Sequence, residues 1–252
     1  MSRILVIGDI HGGLKALEQV FERAQVTQTD KLIFLGDYVD GWSQSAQLID
    51  YLMALSQTNE CVFIKGNHDT WCHEWLMYKE EIPFRLKHGA LETINSYHNY
   101  TAEQLVAHLQ FFENLTNYYI DDKNRLFIHA GFSSMHGPAS EHYESNYSWD
   151  RTLWEMAVTM DKRIQKHSVL YPKRLLLFNE IYIGHTPTLN YNETIPMQGC
   201  NVWNIDTGAA FLGKLTCLDI DTKQFWQSDE VFTLYPNEKG RNKLIEKLKE
   251  QN

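Results

Sequence analysis

Three short apolar runs, each closing on a glycine and then a carboxylate or amide side chain, are the tightest constraint on what this chain can fold into. Arg3 to Ile7 runs into Gly8-Asp9-Ile10-His11, Lys31 to Leu35 into Gly36-Asp37-Tyr38-Val39-Asp40, and Cys61 to Lys65 into Gly66-Asn67-His68-Asp69. After the first, Leu14, Leu17, Val20, Phe21 and Ala24 recur at helical spacing; after the second, Ala46, Ile49, Leu52, Met53 and Leu55 do so. Strands alternating with helices at roughly 30-residue intervals predict βαβ units, right-handed crossovers and a mostly parallel sheet. Ligands of such a sheet collect at the carboxyl ends of its strands, which is where the glycine-led loops fall.

The stretch at about 71–124 reads as helix and loop, rich in aromatics such as Trp71, Trp75, Tyr97 and Phe111 and without strand alternation. Strands return at Leu126 to Ile128, Ile181 to Ile183, Asn201 to Ile205, Leu215 to Ile220 and Gln224 to Trp226, and a helix is predicted from Trp149 to Lys166. A surface helix is predicted over about 238–249, where Lys and Glu alternate around Leu244, Ile245 and Leu248. With 252 residues and no repeat, linker or low-complexity tract, the chain reads as a single domain.

No apolar run approaches the roughly 18 residues of a membrane helix, so no membrane partner is expected. The first apolar stretch is too short for a signal peptide and meets Asp9 at once, which predicts a cytoplasmic protein. Cys61, Cys72, Cys200 and Cys217 show no paired spacing and are expected to be free, packed thiols. Thirty-two acids against 23 bases give a formal charge of −9 and leave no basic stripe before the last turns of the chain. Nucleic acid is a poor partner for such a surface.

The three loops present carboxylate, imidazole and amide oxygen to one edge of one sheet, and a glycine lets the backbone turn tightly there and approach a ligand. His129 and His185 occupy the same kind of position after later strands. Carboxylate with imidazole is ligation chemistry for a borderline divalent cation, with Mn²⁺ expected and Fe or Zn²⁺ the alternatives, whereas Ca²⁺ favours oxygen cages. Six such ligands exceed one tetrahedral ion but suit two ions about 3.5–4 Å apart sharing a carboxylate, for which Asp37 is the candidate. Singly, each residue has a plainer role: Asp9-x-His11 as a helix cap, His129 or His185 as a core histidine. The conjunction in one βαβαβ run carries the metal reading. The other histidines, among them His88 and His108, lack that setting and read as structural or surface residues.

Gly8-Asp9-Ile10-His11-Gly12, Gly36-Asp37-Tyr38-Val39-Asp40 and Gly66-Asn67-His68-Asp69 resemble the three blocks of the calcineurin-like metallophosphoesterases. The stretch from Gly89 through Thr93 to Tyr97, with His129-Ala130-Gly131, Gly184-His185-Thr186-Pro187 and Asn204-Ile205-Asp206-Thr207-Gly208, resembles one branch of that family. This branch holds small bacterial and phage serine/threonine protein phosphatases and symmetrical diadenosine tetraphosphatases, which implies a bacterial source. The resemblance covers roughly residues 3–220 and implies an α/β fold of two mixed sheets packed as a sandwich and flanked by helices. It makes Asp9 and His11 ligands of a first metal, Asp37 the bridge, and Asn67, His129 and His185 ligands of a second, with Asn67 also touching the substrate phosphate. It makes His68 the general acid and Asp40 the carboxylate that orients its ring. The metals would turn bound water into hydroxide and clamp the phosphoryl oxygens.

In one place the chain departs from this pattern. After Asp40 the family places Arg-Gly, the arginine gripping the substrate phosphate, and here Gly41 and Trp42 stand instead. Arg151, Arg163, Lys173 and Arg174 are candidate replacements, with Arg151 favoured for its setting between Trp149 and Trp154. Trp42 reads as a packed surface aromatic, with stacking on an aromatic leaving group or base as the alternative. The expected activity is a two-metal phosphomonoesterase acting on phosphoserine or phosphothreonine in proteins or on small phosphoesters, with loose specificity given the missing arginine. Dinucleoside polyphosphate hydrolysis is the second expectation, and an inactive interaction domain ranks below both because no ligand is lost.

Overall fold

The computed structural model describes residues 2–242. Two mixed five-stranded sheets face one another, as the resemblance implies. The first is built on β1 (Ile4–Ile7), α1 (Leu14–Ala24), β2 (Lys31–Phe34), α2 (Ser45–Leu55), β3 (Cys61–Phe63) and α3 (Asn67–Tyr78). Next come α4 (Leu91–Ser96), α5 (Ala102–Glu113), β4 (Tyr118–Ile120), β5 (Arg125–Ile128), α6 (Thr152–Thr159) and β6 (Glu180–Ile183). The chain closes with β7 (Met197–Gly199), β8 (Val202–Asn204), β9 (Lys214–Asp219) and β10 (Phe225–Glu230). One sheet runs β10-β9-β1-β2-β3 with β1, β2 and β3 parallel; the other runs β4-β5-β6-β8-β7 with β5, β6 and β8 parallel. The antiparallel strands sit at the outer positions of each sheet.

Val6, Ile33, Leu35, Phe127, Tyr182, Ile205 and Leu218 pack between the sheets, where both faces are dry, and this is why β1 and β2 read as continuous apolar runs. Leu14, Leu17, Val20 and Phe21 pack α1 on the other face of the first sheet, and Leu153, Trp154 and Ala157 pack α6 on the second. The carboxyl ends of both parallel sets meet at one edge of the sandwich: the loop after β6 reaches the loop after β1, where the His185 amide donates to Asp9 Oδ2 at 2.9 Å.

Three expectations about elements change. Tyr118–Ile120 and Met197–Gly199 are strands that were not expected, each three residues long and therefore too short to show a period. The helix predicted from Trp149 to Lys166 is confined to Thr152–Thr159, because Met160 leaves helical geometry and the Asp161 carboxylate caps the Arg163 amide at 2.9 Å in a turn. The surface helix predicted over 238–249 lies mostly outside the described residues, and its described start is turns in which Glu238 N donates to Tyr235 O and Asn242 N to Lys239 O. Among the described residues no helix is long and apolar enough to cross a membrane. The four cysteines are unpaired, Cys72 and Cys217 buried as expected and Cys200 exposed.

Candidate metal centre

The loops after β1, β2 and β6 aim their ligand-type side chains inward by taking unusual backbone. His11, Asp37, Asp40 and His185 all adopt positive φ, between 52° and 68° for the last three and 53° for the first. Such left-handed non-glycine residues are costly and cluster at functional sites. The neighbouring glycines make room: a Cβ on Gly66 would collide with Asp37 Oδ1, and one on Gly184 with Asp9 Oδ1. The Asp69 carboxylate ties two loops together, accepting from the amides of Asp37, Tyr38 and Gly66 at 2.8 Å each. Asn67 and His68 thus open α3 beside Asp37, whose Oδ1 accepts from the His68 amide at 3.0 Å.

The six expected ligands converge and are all buried. His11 Nε2 lies 3.7 Å from Asp37 Oδ2 and 4.0 Å from Asp9 Oδ2; His129 Nε2 lies 3.4 Å from Asp37 Oδ2 and 3.2 Å from Asn67 Oδ1. His185 Nδ1 stands 3.0 Å from the same Asn67 oxygen. Asp37 is shared by two groups that could each hold a cation, one with His11 and His68 and one with His129 and His185. Second contacts fix the ring orientations: His11 Nδ1 donates to the carbonyls of Asp40 (2.8 Å) and Val39 (3.0 Å), and His129 Nδ1 to that of Leu35 (2.7 Å). Both therefore direct Nε2 toward Asp37, the arrangement of a metal-ligating imidazole once that nitrogen carries no proton.

The donor set fits divalent cations. Carboxylate, amide and imidazole acceptors converge here, and Asp9 Oδ1 is buried with no hydrogen-bond partner among the described residues. Burial, with the Asp206 carboxylate next to it, pushes Asp9 well above its ordinary range. Burial alone would lower His129, but Asp37 and Asp9 outweigh it and push the imidazole up to about 10. Burial lowers His11 to about 3, with Arg241 adding to it, and lowers His185 well below its usual value, with His129 and Arg151 adding. Without a cation, then, His129 is protonated at pH 8, and ligation through Nε2 requires that proton to leave. Metal loading at pH 8 should release at least about one proton, and affinity should rise with pH toward about 10. Calorimetric titration in two buffers of different ionisation enthalpy checks this; no proton release would show that His129 is already neutral before the metal binds.

His68 Nδ1 bonds to Asp40 Oδ2 at 2.8 Å, and Thr93 holds Asp40 in turn, its hydroxyl donating to Oδ1 at 2.7 Å and accepting from the Asp40 amide at 2.9 Å. The centre opens into a cavity of about 730 Å³, inside the range of about 300–1,000 Å³ usual for ligand pockets. One wall is aromatic: Trp71 lies 4.8 Å from the His68 ring, 5.6 Å from Trp149 and 5.9 Å from Phe84, and Trp149 lies 5.9 Å from His185. His88, expected to be a structural or surface residue, stands on this wall 4.4 Å from Phe84, because the kink at Gly89 (φ 95°) folds its segment over the site.

Of the candidate cations only Arg151 reaches the cavity, where its Nε donates to His185 Nε2 at 3.4 Å. Arg163 is exposed and paired with Asp161 at 2.6 Å, and Arg174 is taken by the Phe132 carbonyl at 2.6 Å. Trp42 is neither a surface aromatic nor able to stack on a ligand: it is fully buried, and its Nε1 donates to the Ala209 carbonyl at 2.8 Å. An arginine at position 41 would be strained, since Gly41 has φ 152° and a Cβ there would stand 2.9 Å from the His11 carbonyl oxygen. Asp206 and Arg241 also line the cavity, although neither was expected as a site residue. Asp206 ends the turn after β8, within the quoted Asn204-to-Gly208 motif, and Arg241 comes from the tail.

Comparisons with known proteins bear on the family and the fold. The model of the calcineurin-like phosphoesterase family matches residues 2–211. Bis(5'-nucleosyl)-tetraphosphatase PrpE (asymmetrical) of Anoxybacillus flavithermus is 28% identical over 229 residues, covering 84% of this chain and 88% of the relative. Its namesake of Oceanobacillus iheyensis is 25% identical over 241 residues, covering 88% and 90%. Among solved structures, one described as a putative diadenosine tetraphosphatase superposes with a TM-score of 0.60 at 15% identity, covering 90% of this chain and 92% of that one. A protein serine/threonine phosphatase of Saccharomyces cerevisiae gives 0.59 at 14%, covering 90% and 80%. These two likenesses speak for the fold. With the family model matched across both sheets and the buried Asp, His and Asn side chains brought to one edge, the chain belongs to the calcineurin-like phosphoesterases and is a metal-dependent phosphoester hydrolase.

Proposed function

We propose that the protein hydrolyses dinucleoside polyphosphates of the diadenosine tetraphosphate type. The observation that carries this reading is the aromatic wall of Trp71, Trp149 and Phe84, which begins directly against His68 and His185 and offers stacking faces to a purine base. The names of the bacillary relatives support it, and their asymmetrical designation makes cleavage off the centre of the chain the expected outcome. Phosphoserine or phosphothreonine hydrolysis, ranked first from the sequence alone, is the second reading. It is favoured by the exposure of Phe84 and Trp149 at the rim, which leaves the cavity open to a protein-borne phosphate.

In this reading Asp9 and His11 would hold one divalent cation and Asn67, His129 and His185 a second, with Asp37 serving both and Mn²⁺ as the expected ion. Bound there, the cations would acidify water and neutralise phosphoryl oxygens. His68 presents Nε2–H to the leaving oxygen while Asp40 fixes its ring and stabilises its charged form. Thr93 fixes Asp40. Asn67 and Arg151 orient the phosphoryl group on the His185 side.

Relative kcat/KM for diadenosine tetraphosphate, a phosphoserine peptide and para-nitrophenyl phosphate in Mn²⁺ ranks the two readings. Base stacking on an aromatic is worth about 1–3 kcal/mol, so Trp71→Ala should raise KM for diadenosine tetraphosphate by roughly one to two decades. KM for para-nitrophenyl phosphate should move far less. An equal change on both would take base recognition away from this wall.

A further inference from the structure

The Gly41-Trp42 break in the family pattern is filled from the far end of the chain. The buried Trp42 ring stacks on Tyr235 with centroids 5.3 Å apart and 18° between planes. The Tyr235 hydroxyl donates to Gln44 Oε1 at 2.6 Å, and the Glu238 carboxylate accepts from the Ser43 amide at 2.9 Å and its hydroxyl at 2.6 Å. Gly240, at φ 54°, lies so close on Trp42 that a Cβ there would stand 2.6 Å from Cη2. Residues 235–240 are thereby laid along the 42–44 loop, and the next residue, Arg241, is delivered to the cavity wall.

Two contacts fix the stem of Arg241: its amide donates to the Ala210 carbonyl at 2.9 Å, and its guanidinium lies 5.2 Å over the Phe211 ring. Its Nε is buried and has no hydrogen-bond partner among the described residues. Burial lowers its guanidinium below the usual range, and the charges that oppose this, Asp37, Asp40, Asp206 and Asp9, are those of the centre itself. A buried donor left unmade is costly, and the residue that carries it lines the same cavity as His11, Asp37 and Asn67. Arg151 lines the same cavity beside His185, to which its Nε donates at 3.4 Å.

We propose that Arg241 is the phosphate clamp of this enzyme in place of the arginine lost at position 41, and that Trp42 is the positioning residue that holds Gly240, and with it Arg241, at the centre. A guanidinium presents a fork of N–H donors that matches two phosphoryl oxygens. The two departures from the family pattern then form one change: glycine replaces the local arginine, and tryptophan supplies the platform for a remote one. The inference rests on the centre acting on phosphoesters, and not on which ester it prefers.

The test uses the full chain loaded with Mn²⁺, titrated calorimetrically with inorganic phosphate and assayed on para-nitrophenyl phosphate. Arg241→Ala should weaken phosphate binding about 10- to 100-fold and raise KM in proportion, with kcat and melting temperature little changed. Arg241→Lys should recover part of the loss, since an ammonium keeps the charge but not the fork. Trp42→Phe should raise KM in the same direction, and the double variant with Arg241→Ala should be no worse than Arg241→Ala alone, because Trp42 acts through Arg241. If Trp42→Phe does not fold, Gly240→Ala disturbs the same contact from the other side and carries the same expectation. A folded Arg241→Ala protein with unchanged phosphate affinity and KM overturns the proposal, as does a loss confined to kcat. Additive losses in the double variant remove Trp42 from the role. Because the phosphate titration involves no ester, it reads Arg241 whether or not dinucleotides prove to be the substrate.

Discussion

Replacing His68 with alanine should leave metal content intact and lower kcat on a phosphoserine peptide by roughly 10² to 10⁴. The reason lies in the leaving group. A serine alkoxide cannot depart from phosphorus without a proton, and His68, held through Nδ1 by Asp40 at 2.8 Å, has Nε2 free to deliver one. Para-nitrophenolate departs unprotonated, and a polyphosphate oxygen needs far less assistance than an alkoxide. The loss should therefore be greatest on the peptide and smaller on para-nitrophenyl phosphate and diadenosine tetraphosphate. The competing assignment is specific, because His68 also falls in one group with His11 and Asp37 that could hold a cation. If His68 were a ligand, the variant would lose metal and fail equally on all three substrates. Elemental analysis beside the three rate constants separates the two roles.

The centre was legible in the sequence because its residues are local to strand ends. A short apolar run followed by glycine fixes where a strand stops, and the next one to four residues must then face the carboxyl edge of the sheet. Asp9, His11, Asp37, Asp40, Asn67 and His68 come from three such loops, and His129 and His185 from two more, so no long-range packing had to be known to bring them together. Arg241 obeys no such rule. It reaches the cavity only because Tyr235, Glu238 and Gly240 dock on Trp42, Ser43 and Gln44 almost 200 positions away in sequence, and a contact of that kind leaves no periodic trace. Its one local mark is Gly240, a poor helix residue inside an apparent Lys/Glu helix. Trp42 was misjudged for the same reason. A tryptophan directly after a loop glycine looks like a surface residue until the partner that buries it is known. Of the aromatic wall only Trp71 stood out in the sequence, as part of an aromatic-rich stretch; the kink at Gly89 and the turn ending at Trp149 bring Phe84 and Trp149 to it.

Asp37→Asn should cost the protein both metals and nearly all activity. Asp37 is the one side chain common to both groups that could hold a cation. Its Oδ2 stands 3.7 Å from His11 Nε2 on one side and 3.4 Å from His129 Nε2 on the other. Burial opposes its charge, yet His129 and His68 hold it ionised well below the ordinary carboxylate range, so a full negative charge is fixed between the two positions. Asparagine has nearly the same shape, and the loop should survive the change, because Asp69 rather than Asp37 accepts the amides of Asp37, Tyr38 and Gly66 that tie the loops together. What changes is charge: a neutral amide is a weak bridge between two dications, and its NH₂ group would point donors where acceptors are required. Elemental analysis of the purified variant should show both occupancies falling, with the melting temperature of the chelated protein close to that of the chelated wild type. Loss of one metal with the other retained would make Asp37 a ligand of a single ion. Unchanged occupancy of both would move the bridge to Asp9, whose Oδ1 is a buried carboxylate oxygen without a hydrogen-bond partner among the described residues.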